Sequence, residues 1–125
     1  MKQHNRRLIG AQGEEQAYNF LKKSGYKILA RNFRSLRGEI DLVAKSGNDI
    51  VFVEVKLRHS RKFGLPQEAV NRTKQRRIIV AALAYMKQAG LTGQNMRFDV
   101  LAIGPEPGTI ELLQSAFTAT DQSFY

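Results

Sequence analysis

Asp41, Glu54 and Lys56 are two carboxylates and a lysine carried on two short alternating segments separated by one turn. The first segment is Gly38-Glu39-Ile40-Asp41-Leu42-Val43-Ala44 and the second is Ile50-Val51-Phe52-Val53-Glu54-Val55-Lys56. Between them, Lys45-Ser46-Gly47-Asn48-Asp49 has hairpin-turn chemistry, with Gly and Asn able to take positive φ. Alternation of this kind is the period of a half-buried strand. A hairpin closed symmetrically about Gly47 and Asn48 sets Asp41 opposite Glu54, Glu39 opposite Lys56 and Val43 opposite Phe52. The other face pairs Ile40 with Val55, Leu42 with Val53 and Ala44 with Val51, and is wholly apolar. Opposed like charges on neighbouring strands destabilise a sheet. A divalent cation between them would remove that repulsion.

Hard cations such as Mg²⁺ or Mn²⁺ take oxygen ligands and keep several waters, so two carboxylates and a backbone carbonyl suffice. Asp41 and Glu54 are the carboxylates, and the Val55 carbonyl, between Glu54 and Lys56, is the third donor. Lys56, one strand step away, would hold or help deprotonate an attacking water, or neutralise a phosphate oxygen. Such an assembly suits in-line hydrolysis of a phosphodiester, where positioning and charge neutralisation do most of the work. The same spacing also fits a solvated strand face with a Glu39–Lys56 cross-strand ion pair. Glu39 is therefore either an auxiliary metal ligand or the partner of Lys56.

Net charge points the same way. Twenty Lys and Arg against 11 Asp and Glu give +9, an excess that suits a polyanionic partner, nucleic acid or an acidic membrane surface. The absence of cysteine excludes disulfides and thiolate metal sites. No apolar run approaches the ~20 residues of a membrane span, and the N-terminus is too polar for a signal peptide. The expectation is a single cytoplasmic domain over residues 1–125.

The elements that must position these residues follow from periodicity. A helix over Arg6 to Lys23 stops at Gly25, with Glu14 beside its apolar stripe of Leu8, Ala11, Ala17, Phe20 and Leu21. Tyr26 to Phe33 reads as a strand, and the hairpin supplies two more. A polar loop, Arg58 to Gln67, leads to a helix from Glu68 to Ala89 whose first half is basic and whose second half is apolar nearly all round. Phe98 to Ile103 makes a fourth strand and Thr109 to Leu113 a weaker fifth. The polar tail from Thr118 to Tyr125 is expected to fray. The order α-β-β-β-α-β-β, with a helical crossover before strand four, predicts an α/β fold with a mixed central sheet flanked by helices.

Taken together, Gly13-Glu14, Arg31-Asn32, Gly38-Glu39-Ile40-Asp41-Leu42-Val43-Ala44, Val51-Phe52-Val53-Glu54-Val55-Lys56-Leu57-Arg58 and the Lys74–Arg77 segment resemble the YraN-like family of the PD-(D/E)XK nuclease superfamily. That family is similar in turn to archaeal Holliday junction resolvases. The likeness extends over nearly the whole chain and fades after Ile103. It departs at Ile40, which stands where the superfamily's signature has proline. The resemblance implies a restriction-endonuclease-like core of about five strands, and an endonuclease that hydrolyses DNA, including branched or recombination-related DNA. It assigns Asp41 and Glu54 to a metal, Lys56 to catalysis, and Glu14 to the outer shell of that metal or to a second ion. Resolvase-like relatives would imply a homodimer. The rival reading is a nucleic-acid-binding protein that keeps the fold without hydrolysis. A third is a basic interaction protein with no nucleic-acid role.

Arg58 continues the Glu54–Lys56 face by alternation, within reach of a phosphate. Arg34, Arg37, Arg61, Lys62, Arg72, Lys74, Arg76 and Arg77 bracket that face as phosphate contacts that position DNA without reading its sequence. Lys74 shares a helical face with Val70, Ile78 and Ala81, so it is expected to point inward. His4 and His59 lack metal-ligand spacing. Gly10-x-x-Gly13 follows no strand, which argues against a dinucleotide site. Phe63 and Tyr125 have no feature that separates base stacking from ordinary surface placement.

Overall fold

The computed structural model describes residues 2–58, 70–106 and 108–119, with side chains from residue 12 onward. Its elements are α1 (Lys2–Lys23), β1 (Lys27–Ser35), β2 (Gly38–Ser46), β3 (Asp49–Leu57), α2 (Arg72–Gln88), β4 (Asn95–Ile103) and β5 (Ile110–Phe117). The sheet order is β1-β2-β3-β4-β5. Only β3 and β4 pair in parallel, because α2 carries the chain back across the sheet. This is the α/β architecture and element order that the periodicity predicts, and it is consistent with a restriction-endonuclease-like fold.

From the turn as far as Leu42–Val53 the register is that of symmetric closure, with Val43 on Phe52 and Ala44 on Val51, but the expected pairs Asp41–Glu54, Ile40–Val55 and Glu39–Lys56 are not part of the described ladder. Another expectation fails. The strands are not apolar on one face and polar on the other, because each face is covered by a helix. Ala17 and Leu21 of α1 pack with Leu42, Ala44, Val51, Val53 and Leu101 on one side. Ile78, Ile79, Ala81, Ala82 and Met86 of α2 pack with Val43, Ile50, Phe52, Phe98 and Val100 on the other. Most polar groups of the hairpin lie toward the strand ends, but Glu54 is buried and Asp41 half-buried within their strands.

At Asp41 the alternation itself breaks. Ile40 lies in the α2-side cluster and Leu42 in the α1-side cluster, although two-residue spacing would put them together. Across the ladder, Phe33 packs toward α2 while Arg31 lies over the Tyr18 ring of α1. Between them Asn32 takes φ +53°, a left-handed conformation that Asn tolerates better than most residues. Both strands thus turn over at the Asn32–Asp41 position, and the recorded β2–β3 pairing runs no further toward the site than Leu42–Val53.

The second helix starts at Arg72 rather than Glu68. Asn71 is extended at φ −72°, ψ 169°, and its side-chain oxygen accepts from the Lys74 backbone N–H at 2.9 Å, a strong N-cap. Glu68, the loop through Gln67, and Thr118 to Tyr125 fall wholly or partly outside the described residues. Strand five reaches Phe117, whose ring stacks on Phe98 at 5.1 Å.

Candidate metal and phosphate site

Because the ladder opens at Asp41, its carboxylate lies where a backbone acceptor would otherwise stand: Oδ2 accepts the Val55 N–H at 2.8 Å. In an extended strand the N–H and C=O of one residue leave the same edge, so the Val55 carbonyl is also directed toward β2. Glu54, on the α2 side of β3, is buried at 6% exposure, and Lys74 Nζ lies 2.6 Å from its Oε1. Lys56 follows on the same face. Gly13 brings α1 close to the end of β3, where even a Cβ would sit 2.7 Å from Leu57 Cδ2. Arg31 ties α1 to β1 through Glu15 at 2.8 Å and over the Tyr18 ring. That docking sets Glu14 at the rim. Glu14, Glu39, Asp41, Glu54, Val55, Lys56 and Lys74 all line one cavity of about 330 Å³.

Charge in this cavity is under tension. Burial and the neighbouring Glu54 carboxylate push Asp41 up to about 7, against the opposing pull of the Val55 N–H. Burial and the adjacent Lys74 ammonium lower Lys56. Burial also works against the charge of Lys74, but its hydrogen bond and attraction to Glu54 prevail and raise it. Asp41 thus resists ionising beside a second carboxylate, and the neighbouring Lys56 is eased toward neutrality.

The donor chemistry fits a hard cation: two carboxylates and a directed carbonyl, with no soft ligand nearby. Among the described residues, no three acidic or imidazole groups converge into a ready-made cage. Glu54 is held by Lys74, so ion binding at Asp41 and Glu54 would displace or share that lysine.

The remaining expected residues separate into three groups. Glu39 lies in the cavity, but its carboxylate is 3.4 Å from Arg34 Nε, so the Glu39–Lys56 pairing is replaced by one across β1 and β2. Arg58 lies beyond the end of β3, and its guanidinium contacts Glu111 of β5 at 3.2 Å. Arg37, Lys74 and Arg77 line an adjoining groove of about 440 Å³ with Asn71 and Thr73. Arg72 and Arg76 are exposed nearby on α2. His59, Arg61, Lys62 and Phe63 fall outside the described residues, as do Tyr125 and the His4 side chain.

Sequence reasoning placed Lys74 inward but ranked it as a phosphate contact. Its ion pair with Glu54 makes it part of the acidic cavity itself. A second cluster was missed. Asp99, fully buried, receives Arg97 Nε at 3.0 Å and a terminal guanidinium nitrogen at 2.9 Å, and the Ser115 N–H at 3.0 Å. Tyr26 accepts from Arg97 at 2.6 Å and from Gln114 at 2.8 Å. The signal was one aspartate inside an apolar run, with an arginine two residues earlier on the same strand face. These groups satisfy one another and tie Tyr26, the residue before β1, to β4 and β5 away from the cavity.

Comparison with known proteins adds a frame without chemistry. The model of "Uncharacterised protein family UPF0102" matches residues 13–103, which include every described residue lining the acidic cavity. A UPF0102 protein of Desulfosudis oleivorans is 43% identical over 93% of this chain and 94% of its own. One from Caldicellulosiruptor saccharolyticus is 47% identical over 90% and 99%, and one from Syntrophus aciditrophicus 48% over 86% and 87%.

Proposed function

Since the chain belongs to the uncharacterised protein family UPF0102, whose description assigns no reaction, we propose from the site alone that it is a metal-dependent DNA endonuclease of the PD-(D/E)XK type. The observation that carries this reading is the convergence of Asp41 and Glu54 from adjacent strands on one cavity that also holds Lys56 and Lys74. Asp41, Glu54 and the Val55 carbonyl would hold Mg²⁺ or Mn²⁺. The ion would neutralise a phosphate oxygen and make a bound water more acidic. Lys56, lowered by burial and by Lys74, is suited to orient the water attacking in line with the scissile bond and, in its neutral form, to accept that water's proton, while the leaving oxygen would take a proton from solvent. Lys74, released from Glu54, is suited to hold a non-bridging phosphate oxygen. Arg37 and Arg77 line the adjoining groove, where they would hold flanking phosphates and set the strand's path without reading bases. Glu14 and Glu39, which also line the cavity, would serve as outer ligands.

A titration of the wild-type protein and Asp41→Asn with Mn²⁺ by calorimetry, paired with cleavage of duplex and four-way DNA, tests the reading. Binding lost in Asp41→Asn, with cleavage lost in both Asp41→Asn and Lys56→Ala, is the expected result. Cleavage surviving both substitutions would reject the mechanism. One observation favours a second reading: Lys74 already neutralises Glu54 at 2.6 Å, as a non-catalytic nucleic-acid-binding protein would require. That reading predicts DNA binding that falls steeply with salt yet ignores EDTA and Asp41→Asn.

A further inference from the structure

The β1–β2 hairpin ends in Leu36, whose side chain is as exposed as in an extended chain, at 106%. Two-residue hairpin turns ordinarily use Asn, Asp or Gly, which accept positive φ and face water readily. Here the turn residues are Leu36 and Arg37, neither of which takes positive φ. Ser35 holds the turn instead: its hydroxyl accepts from the Arg37 N–H at 3.3 Å and donates to the Gly38 carbonyl at 3.1 Å. Nothing in the turn requires an apolar side chain, and water is the worst surrounding for one.

The tip is also fixed relative to the cavity. Gly38 lies so close to α2 that a Cβ there would come within 2.9 Å of the Arg77 carbonyl oxygen. The groove lined by Arg37, Gly38 and Arg77 shares Glu39 and Lys74 with the acidic cavity, so the two are continuous. Arg34 and Arg37 are exposed on either side of Leu36. At about 3.3 Å per residue, Leu36 stands roughly 10–17 Å from Asp41 along the hairpin. That span matches three to five nucleotide steps at about 3.4 Å each.

We infer that Leu36 is a wedge that enters a base step of DNA while Arg37, and Arg34 on exchanging its exposed Glu39 partner, grip the phosphates beside it. The inference rests on the nuclease reading above, because it takes DNA as the polyanion in the cavity. An apolar side chain at a basic tip gains by leaving water for a base step, and the cost of unstacking that step is least where stacking is already broken. Arginines flanking the leucine on a chain of net charge +9 disfavour a second copy of the protein as its occupant.

The test compares wild type, Leu36→Ala and Arg77→Ala in Ca²⁺, a hard cation offered to the acidic cavity in place of Mg²⁺ or Mn²⁺. Each is titrated with a short duplex that is fully paired or carries one mismatch, with 2-aminopurine beside the mismatch position. Wild type is expected to prefer the mismatched duplex by about tenfold and to raise the 2-aminopurine fluorescence. Leu36→Ala, with an unchanged melting temperature, should bind both duplexes alike and leave the fluorescence flat. Arg77→Ala should weaken both and keep the ratio. Leu36→Ala that retains the preference and the fluorescence rise overturns the wedge while leaving the nuclease reading standing. Wild type that binds neither duplex overturns both together. A dimer in sedimentation that Leu36→Ala dissociates, with DNA binding unchanged, overturns the wedge in favour of a self-contact.

Discussion

Replacing Asp41 by Asn should stabilise the metal-free protein while destroying the site. The amide keeps an oxygen that can accept the Val55 N–H, now made at 2.8 Å, and removes the charge opposed by burial and by Glu54. A rise of the carboxyl from 3.8 to about 7, at about 1.36 kcal/mol per unit, sets an upper bound of about 4 kcal/mol. Water in an open cavity and side-chain relaxation reduce it, so about 2–3 kcal/mol is expected at pH 8, near 10 °C in melting temperature for a chain of this length. The sign follows from linkage. A carboxyl raised in the folded state favours folding while protonated, so its contribution is present at low pH and lost as pH climbs from about 4 through 7. Wild type should therefore gain stability between pH 8 and pH 5, and the gap to Asp41→Asn should narrow to about a third of its pH 8 value. Thermal melts of both proteins in EDTA at pH 5, 6, 7 and 8 measure this. Saturating Mn²⁺ at pH 8 should then raise the wild-type midpoint and leave the variant's unmoved. An Asn variant no more stable than wild type at pH 8, or a gap independent of pH, would refute the account of charge held against burial.

Three further outcomes follow from the same geometry. Lys74→Met leaves Glu54 buried without its partner, so urea unfolding in EDTA should show a loss of about 1–3 kcal/mol, with Mn²⁺ affinity increased because the competing ammonium is gone. Asn32→Ala should cost about 1–2 kcal/mol in the same assay because its φ of +53° disfavours a Cβ-bearing residue without a polar side chain, whereas Asn32→Gly should retain Mn²⁺ binding. Asp99→Ala strands the Arg97 guanidinium and the Ser115 N–H and should lose about 3–5 kcal/mol by urea unfolding, without altering Mn²⁺ affinity in whatever fraction remains folded.

Local pattern alone specified the element order and the hairpin register from the turn to Leu42–Val53. Alternation and turn composition act over neighbouring residues, and a strand's two-residue period leaves only one register that keeps Val43, Phe52, Leu42 and Val53 out of water. The inward aim of Lys74 was equally a matter of helical spacing with Val70, Ile78 and Ala81. Long-range packing decided the rest. That both sheet faces are covered depends on where α1 and α2 dock, which no strand records. The turnover at Asn32 and Asp41 depends on two strands at once, and it is what aims the Asp41 carboxylate along the sheet at Val55 instead of into a helix. Arg58 found Glu111, and Asp99 found Arg97, Tyr26 and Ser115, because a buried or half-buried charge takes the partner that the tertiary fold brings near, whatever its separation in the chain.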